Sequence, residues 1–165
     1  MLDIKNDYLH LSSELENIPQ FSANAAAAIC FIEAESKILL LKNIRELKDY
    51  PRDWGIPGGK LEKDELPIDA VQREIFEETS IYIPKDKLQF LLKLFVRIPK
   101  YDYELYVYKS VLTKKIEDIE IKLDTREHSA YVWKTVAEAM QLPLIYEDQG
   151  LIEYIYRQQW RAEIY

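Results

Sequence analysis

Between Gly59 and Ile81 a glycine turn leads into a short helical stretch that carries Glu74, Glu77 and Glu78 at relative positions zero, three and four. On a helix that spacing puts all three carboxylates on one face. Like charges one turn apart cost about 0.2–0.5 kcal/mol per pair, so a chain that keeps three of them has a reason to hold a cation there. Carboxylate oxygens suit Mg²⁺ or Mn²⁺, and a metal site is the expectation. The plainer reading is an acidic helix face bathed in solvent. The helix is predicted over residues 66–79, with Pro67 in its first turn and Ile68, Val71 and Ile75 forming an apolar stripe beside the acidic arc. Ser80 falls just past its end, where a left-handed backbone is common and a serine costs about 1 kcal/mol.

At 165 residues the chain is long enough for one domain with a proper core and too short for two comfortable ones. A composition 48% hydrophobic and 31% charged describes a soluble globular protein. The net charge of -7 argues against a nucleic-acid polymer as partner, because that needs a basic footprint. A nucleotide-type small molecule is compatible with it, provided a metal and a few local cations reverse the field at the site. Cys30 is alone in an apolar run, which excludes a disulfide framework, a CxxC pair and a zinc cluster, and it reads as a small buried hydrophobe. No basic leader precedes an apolar stretch, and no run approaches the roughly 18 apolar residues of a membrane span. The expectations are therefore no membrane partner and a cytoplasmic location.

Residues 1–22 carry Leu2, Tyr8, Leu9, Leu11, Leu15 and Ile18 in a loose helical pattern closed by Pro19, and are predicted to be an extension with a short helix. Such a helix packs on the domain or on a partner subunit, so a homodimer is among the expected assemblies. The domain proper is taken as residues 23–165. Residues 25–32 and 37–42 read as two strands of a hairpin around a polar turn. The charged loop 43–53 offers Arg45, Lys48 and Arg52 as the nearest cations for substrate phosphates, although charge runs are usually just solvated. Residues 88–98 and 103–112 are strand-like, with a turn at 99–102. Residues 131–133 form a last short strand, 135–140 a short helix, and 148–162 a terminal helix with Leu151, Ile152, Ile155, Tyr156 and Trp160 at helical spacing. Strands mixed with few helices indicate an α+β domain.

The central stretch resembles the Nudix box. Gly59, then Glu65 after five residues, then Arg73, Glu74, Ile75, Glu77, Glu78 and Ile81 fall in register, while Ser80 stands in place of the family's second glycine. The resemblance implies an α/β/α sandwich, with a mixed sheet between helices and the box as a loop-helix-loop on one side. It also implies a hydrolase of phosphorus-containing anhydrides with Mg²⁺ or Mn²⁺ held by Glu74, Glu77 and Glu78 and by the carbonyl of Gly59.

Cleaving a diphosphate requires that its negative oxygens be neutralised and that a water be made nucleophilic. The base is a box glutamate or a carboxylate from a later loop. Glu127, just before residues 131–133, sits where similar proteins often bring a further glutamate, and Glu104 and Glu120 are weaker candidates. Glu65 and Arg73 are expected to support the site, Glu65 at the helix start and Arg73 by forking hydrogen bonds onto a carboxylate. His128 reads more readily as structural than as a ligand or base. Tyr101, Tyr103 and Tyr146 are candidates to stack on a base.

The run Trp54-Gly55-Ile56-Pro57-Gly58-Gly59-Lys60 resembles the approach to the box in MutT-like nucleoside triphosphate hydrolases and in ADP-ribose hydrolases. The proline that follows the box in ADP-ribose enzymes is Val96 here, and the asparagine with which MutT reads its base has no match around residues 142–146. A nucleoside triphosphate diphosphatase is expected first, an ADP-ribose or nucleotide-sugar pyrophosphatase second. A non-catalytic nucleotide sensor is the reading from another class, and the full set of box glutamates speaks against it.

Overall fold

The computed structural model describes residues 1–44 and 53–157. Its first residues form strands where the spacing predicts a helix. Strands β1 (Asp3–Lys5) and β2 (His10–Ser12) pair antiparallel, and the Asn6 side chain accepts the Tyr8 and Leu9 N–H groups to close the turn between them. Leu2, Leu9 and Leu11 enter the core from this hairpin. β2 in turn pairs with the distant β7, so residues 3–5 and 10–12 join the sheet, while the short helix expected in this stretch is confined to one 3-10 turn at Leu15–Asn17.

The long strand β3 (Ala23–Ala34) turns through Glu35 and Ser36, both at positive φ, into β4 (Lys37–Asn43). Two such residues make the tight turn that matches strand twist. The expected hairpin is brief: Glu33 faces Ile38 and Ala34 faces Lys37, after which the strands part. Next come β5 (Trp54–Gly55), β6 (Gly58–Lys60), helix α1 (Pro67–Thr79), and the antiparallel pair β7 (Gln89–Ile98) and β8 (Tyr101–Val111). The predicted turn at 99–102 narrows to Pro99 and Lys100. Strand β9 (His128–Lys134), the one-turn helix α2 (Val136–Ala139) and α3 (Tyr146–Ile155) complete the order. Thr135 and Glu138 cap α2 reciprocally. Trp160 lies outside the described residues.

The path β1-β2-β7-β8-β3-β4-β5 makes one mixed sheet, with β6 added to β3 and β9 to β4, and β3 runs parallel to β8. Both faces are covered, which is why residues 25–32 read as a continuous apolar run. Ala28, Cys30 and Ile32 of β3 pack with Ala70, Val71 and Ile75 of α1. Ile29 and Phe31 point the other way, toward Val136 of α2, Leu151 and Ile152 of α3, and Tyr156 at the end of α3. The α/β/α sandwich is thus formed by period-two alternation in the sheet between helices. Cys30 is fully buried, and burial raises its thiol pKa far above the ordinary range. Among the described residues no helix is long and apolar enough to cross a membrane.

Candidate active site

Where β3 and β4 diverge, a cleft of about 250 Å³ opens, floored by Ala27 and Ile29 of one strand and Leu41 of the other. Helix α1 borders it on one side. Pro67 begins the helix and Ser80 ends it in the left-handed conformation, φ 63° and ψ 11°, as the box register predicts. Its N–H caps the Phe76 carbonyl at 2.8 Å and its hydroxyl donates to the Lys122 carbonyl at 3.2 Å, a local compensation that glycine would lack.

The three box glutamates meet three environments. Glu77 is exposed. Glu74 is half-buried, and its carboxylate fills the space beside Gly59, where an added Cβ would lie 2.3 Å from its Cδ. That contact explains the glycine without appeal to backbone angle. Glu78 is only 4% exposed. Its Oε1 accepts the Gly58 N–H at 2.7 Å, and its Oε2 meets His128 Nε2 at 2.5 Å. Gly58, at φ 151°, passes so close to the Ala28 carbonyl that a side chain has no room.

Arg73 ties the exposed half together. It forks onto Glu65 through Nε and Nη2, both at 2.8 Å, and its Nη1 donates to Glu74 at 2.9 Å and Glu77 at 3.1 Å. Nη2 also donates to the Lys60 carbonyl. The guanidinium pulls the Glu65 carboxyl down to about 2. Burial raises Glu74 and, more deeply placed, Glu78, in each case against the opposing pull of Arg73 or His128. Burial also disfavours a charged His128, yet the Glu78 carboxylate outweighs it and raises the imidazole.

Glu127, predicted from the later loop, is brought to the box. Among the described residues, Glu78, Glu127 and His128 form the one trio of candidate ligand atoms lying within 4.8 Å of one another. Backbone bonds explain the placement: Lys122 N–H donates to the Thr79 carbonyl at 2.9 Å and Asp124 N–H to the Glu78 carbonyl at 3.1 Å, using carbonyls that the helix end leaves free. Glu104 instead pairs with Lys93. Glu120 is in no contact with the cluster that the structure describes. Arg45, Lys48 and Arg52 lie outside the described residues.

The opposite wall is aromatic and acidic. Tyr101 and Tyr103 lie 5.8 Å apart between ring centroids, and Lys60 Nζ sits 5.6 Å over Tyr101. Tyr103 donates to Glu147 at 3.0 Å. Tyr146 stacks on Tyr8 at 5.9 Å, so of the three candidate rings it faces the N-terminal hairpin. Asp148 is buried and accepts the Ile56 N–H at 2.9 Å; burial lifts its carboxyl to about 8. Sequence reasoning passed over Glu147, Asp148 and Lys60. The acids look like ordinary first-turn residues of α3, and no local pattern marks them as cleft lining.

The NUDIX domain family model matches residues 23–155, and the chain belongs to that family. Over 103 residues it is 36% identical to human diphosphoinositol polyphosphate phosphohydrolase 3-beta, a match covering 62% of this chain and 58% of that protein. The chain thus spans little more than half the length of that curated relative. A crystal structure of a MutT NUDIX hydrolase from Burkholderia pseudomallei superposes with a TM-score of 0.65 at 24% identity, covering 78% of this chain and 95% of that one. The NUDIX domain of Shewanella oneidensis NrtR, complexed with ADP ribose, gives 0.67 at 20% identity, covering 88% and 96%. At these identities the likeness is one of fold, and it is the mixed sheet between helices that the box resemblance implies.

Proposed function

We propose that this chain hydrolyses the diphosphate linkage of a nucleoside diphosphate derivative with a divalent cation, a nucleoside triphosphate being the first candidate substrate. The observation that carries the reading is the charge imbalance at the cleft. Glu78 and Glu127 come together there, Glu74 lies beside Gly59 of the cleft lining, and Arg73, the guanidinium that touches Glu74 and Glu77, is shared with Glu65. Hard oxygen donors in surplus fit Mg²⁺ or Mn²⁺. Glu74, Glu77 and Glu78 would hold the ion, with the Gly59 carbonyl at hand. When bound it supplies Lewis acidity at the phosphate oxygens.

The chain's own residues do the rest. Arg73 fixes Glu74 and Glu77, so these carboxylates need not reorganise when substrate arrives. Glu127, exposed at the cleft edge, is the base that takes a proton from the attacking water. Lys60 offers a cation to the phosphates, and Arg45 and Arg52, outside the described residues, are proposed to do the same. Tyr101 offers a ring face to the base.

A second reading, an ADP-ribose or nucleotide-sugar pyrophosphatase, is favoured by one observation. Tyr101 also lines a wider groove of about 780 Å³ between the N-terminal hairpin and the β7–β8 turn, room for a second substituent on the diphosphate. The test is a substrate panel of nucleoside triphosphates, oxidised nucleotides, ADP-ribose, nucleotide sugars and diphosphoinositol polyphosphates with Mg²⁺ or Mn²⁺, resolved by product. Pyrophosphate release from a triphosphate supports the first reading. AMP with ribose phosphate moves the assignment to the second. Orthophosphate from a diphosphoinositol alone removes the nucleotide from both. Binding without turnover assigns the sensor role.

A further inference from the structure

We infer that His128 is a positioning residue for the metal site, holding the Glu78 carboxylate through one oxygen and not itself serving as a ligand. The inference rests on the cation-dependent reading above and goes beyond it by giving a role to a residue that the box does not contain.

The box carboxylates do not all lean on the same partner. Arg73 reaches Glu65, Glu74 and Glu77, and its described contacts do not extend to Glu78. Glu78 is the most buried of the box glutamates, and an uncompensated carboxylate at that depth is expensive. Two groups meet it, one on each oxygen: the Gly58 N–H donates to Oε1, and His128 Nε2 meets Oε2, as the donor when Glu78 is ionised. A carboxylate pinned at both oxygens is fixed in rotation about its terminal bond. Each oxygen keeps a further lone pair for a cation.

The imidazole is held in turn by its backbone. His128 N–H donates to the Asp124 carbonyl at 3.0 Å, in the loop bonded to the end of α1. The β4–β9 ladder slips at this point: Lys42 faces Ala130 and Asn43 faces His128, so Ser129 is left unopposed. A bulge of this kind re-aims a neighbouring side chain, and here it stands beside the buried histidine. Nε2 is occupied by Glu78, and Nδ1 is buried without a hydrogen-bond partner among the described residues. A ring whose one engaged nitrogen serves a carboxylate fits an orienting role, as outer partners do for metal ligands generally.

The test uses Mn²⁺ alone as the probe, its affinity for the substrate-free protein read by electron paramagnetic resonance, beside thermal unfolding of each variant. In His128→Gln the amide nitrogen can take the place of Nε2; in His128→Asn it reaches only the place of Nδ1, at similar polarity. His128→Phe removes the donor at similar volume. The expected result is Mn²⁺ affinity near wild type for His128→Gln and weaker by about 10-fold or more for His128→Asn and His128→Phe. The same split is expected in kcat at saturating metal. Should His128→Phe fail to fold, the Gln and Asn pair carries the comparison. Equal affinity in all variants overturns the inference, leaving a histidine that only fills space. Equal loss in Gln and Asn also overturns it and makes His128 a ligand. If wild-type protein binds no Mn²⁺ at all, the cation-dependent reading fails first and takes this one with it.

Discussion

On the box wall of the cleft, basic side chains meet the carboxylates: Arg73 spans Glu65, Glu74 and Glu77, and His128 meets Glu78, whose other oxygen accepts the Gly58 N–H. On the facing wall, where Tyr101 and Tyr103 also lie, the acids meet neutral partners only, Glu147 a tyrosine hydroxyl and Asp148 a backbone N–H. Preorganised carboxylates hold a reaction centre in place. Rings and neutral hydrogen bonds choose what is presented to it. The two walls should therefore fail differently when altered, one in turnover and one in binding.

The largest effect is expected at the deepest box residue. Glu78→Gln should lower kcat by about 1,000-fold, the equivalent of the several kcal/mol that metal-assisted charge stabilisation supplies; steady-state assays on the best panel substrate check it. Arg73→Lys keeps the charge but loses the fork, and kcat should fall about 10- to 100-fold with little change in KM. A loss confined to KM would erase the distinction between the walls. Across the cleft, Tyr101→Ala should raise KM about 10-fold, as lost stacking on a base does, while kcat moves far less.

The acidic side of the same wall gives a pH signature. Asp148 has a folded pKa of about 8 against an ordinary 3.8, so the folded state binds the extra proton. Its contribution to stability is complete below about pH 4 and is lost as pH rises through about 8. Asp148→Asn should flatten the fall in Tm over that window, measured by thermal unfolding across pH. The smallest effect is at the helix end. Ser80→Gly relieves the left-handed serine and should add about 0.5–1 kcal/mol by denaturant titration, less whatever the hydroxyl bond to Lys122 contributes.

Legibility follows the range of the forces. The box was readable because its spacing is local: one turn of helix relates Glu74 to Glu78, and one backbone angle explains Ser80. Strand β3 was readable because burial on both faces writes an unbroken apolar run. The N-terminal hairpin was misread because Leu9 and Leu11 are inward for a reason that local periodicity does not contain: β2 pairs with β7, with Leu11 opposite Val96. Its three-residue strands are too short to show alternation. The contact of His128 with Glu78 is not legible, since nothing nearby in sequence announces a carboxylate fifty residues earlier. Asp148 was hidden by its helix, where an acid in the first turn needs no further reason.

The most direct test of the account is phosphorus NMR of chelator-treated protein with a nucleoside triphosphate and, separately, with ADP-ribose, before and after Mg²⁺ is restored. The account predicts no cleavage before addition, and afterwards new resonances from a broken diphosphate that Glu78→Gln does not produce. Cleavage at an undiminished rate without the cation, or in Glu78→Gln with it, would contradict the assignment of the box carboxylates as the metal-holding centre.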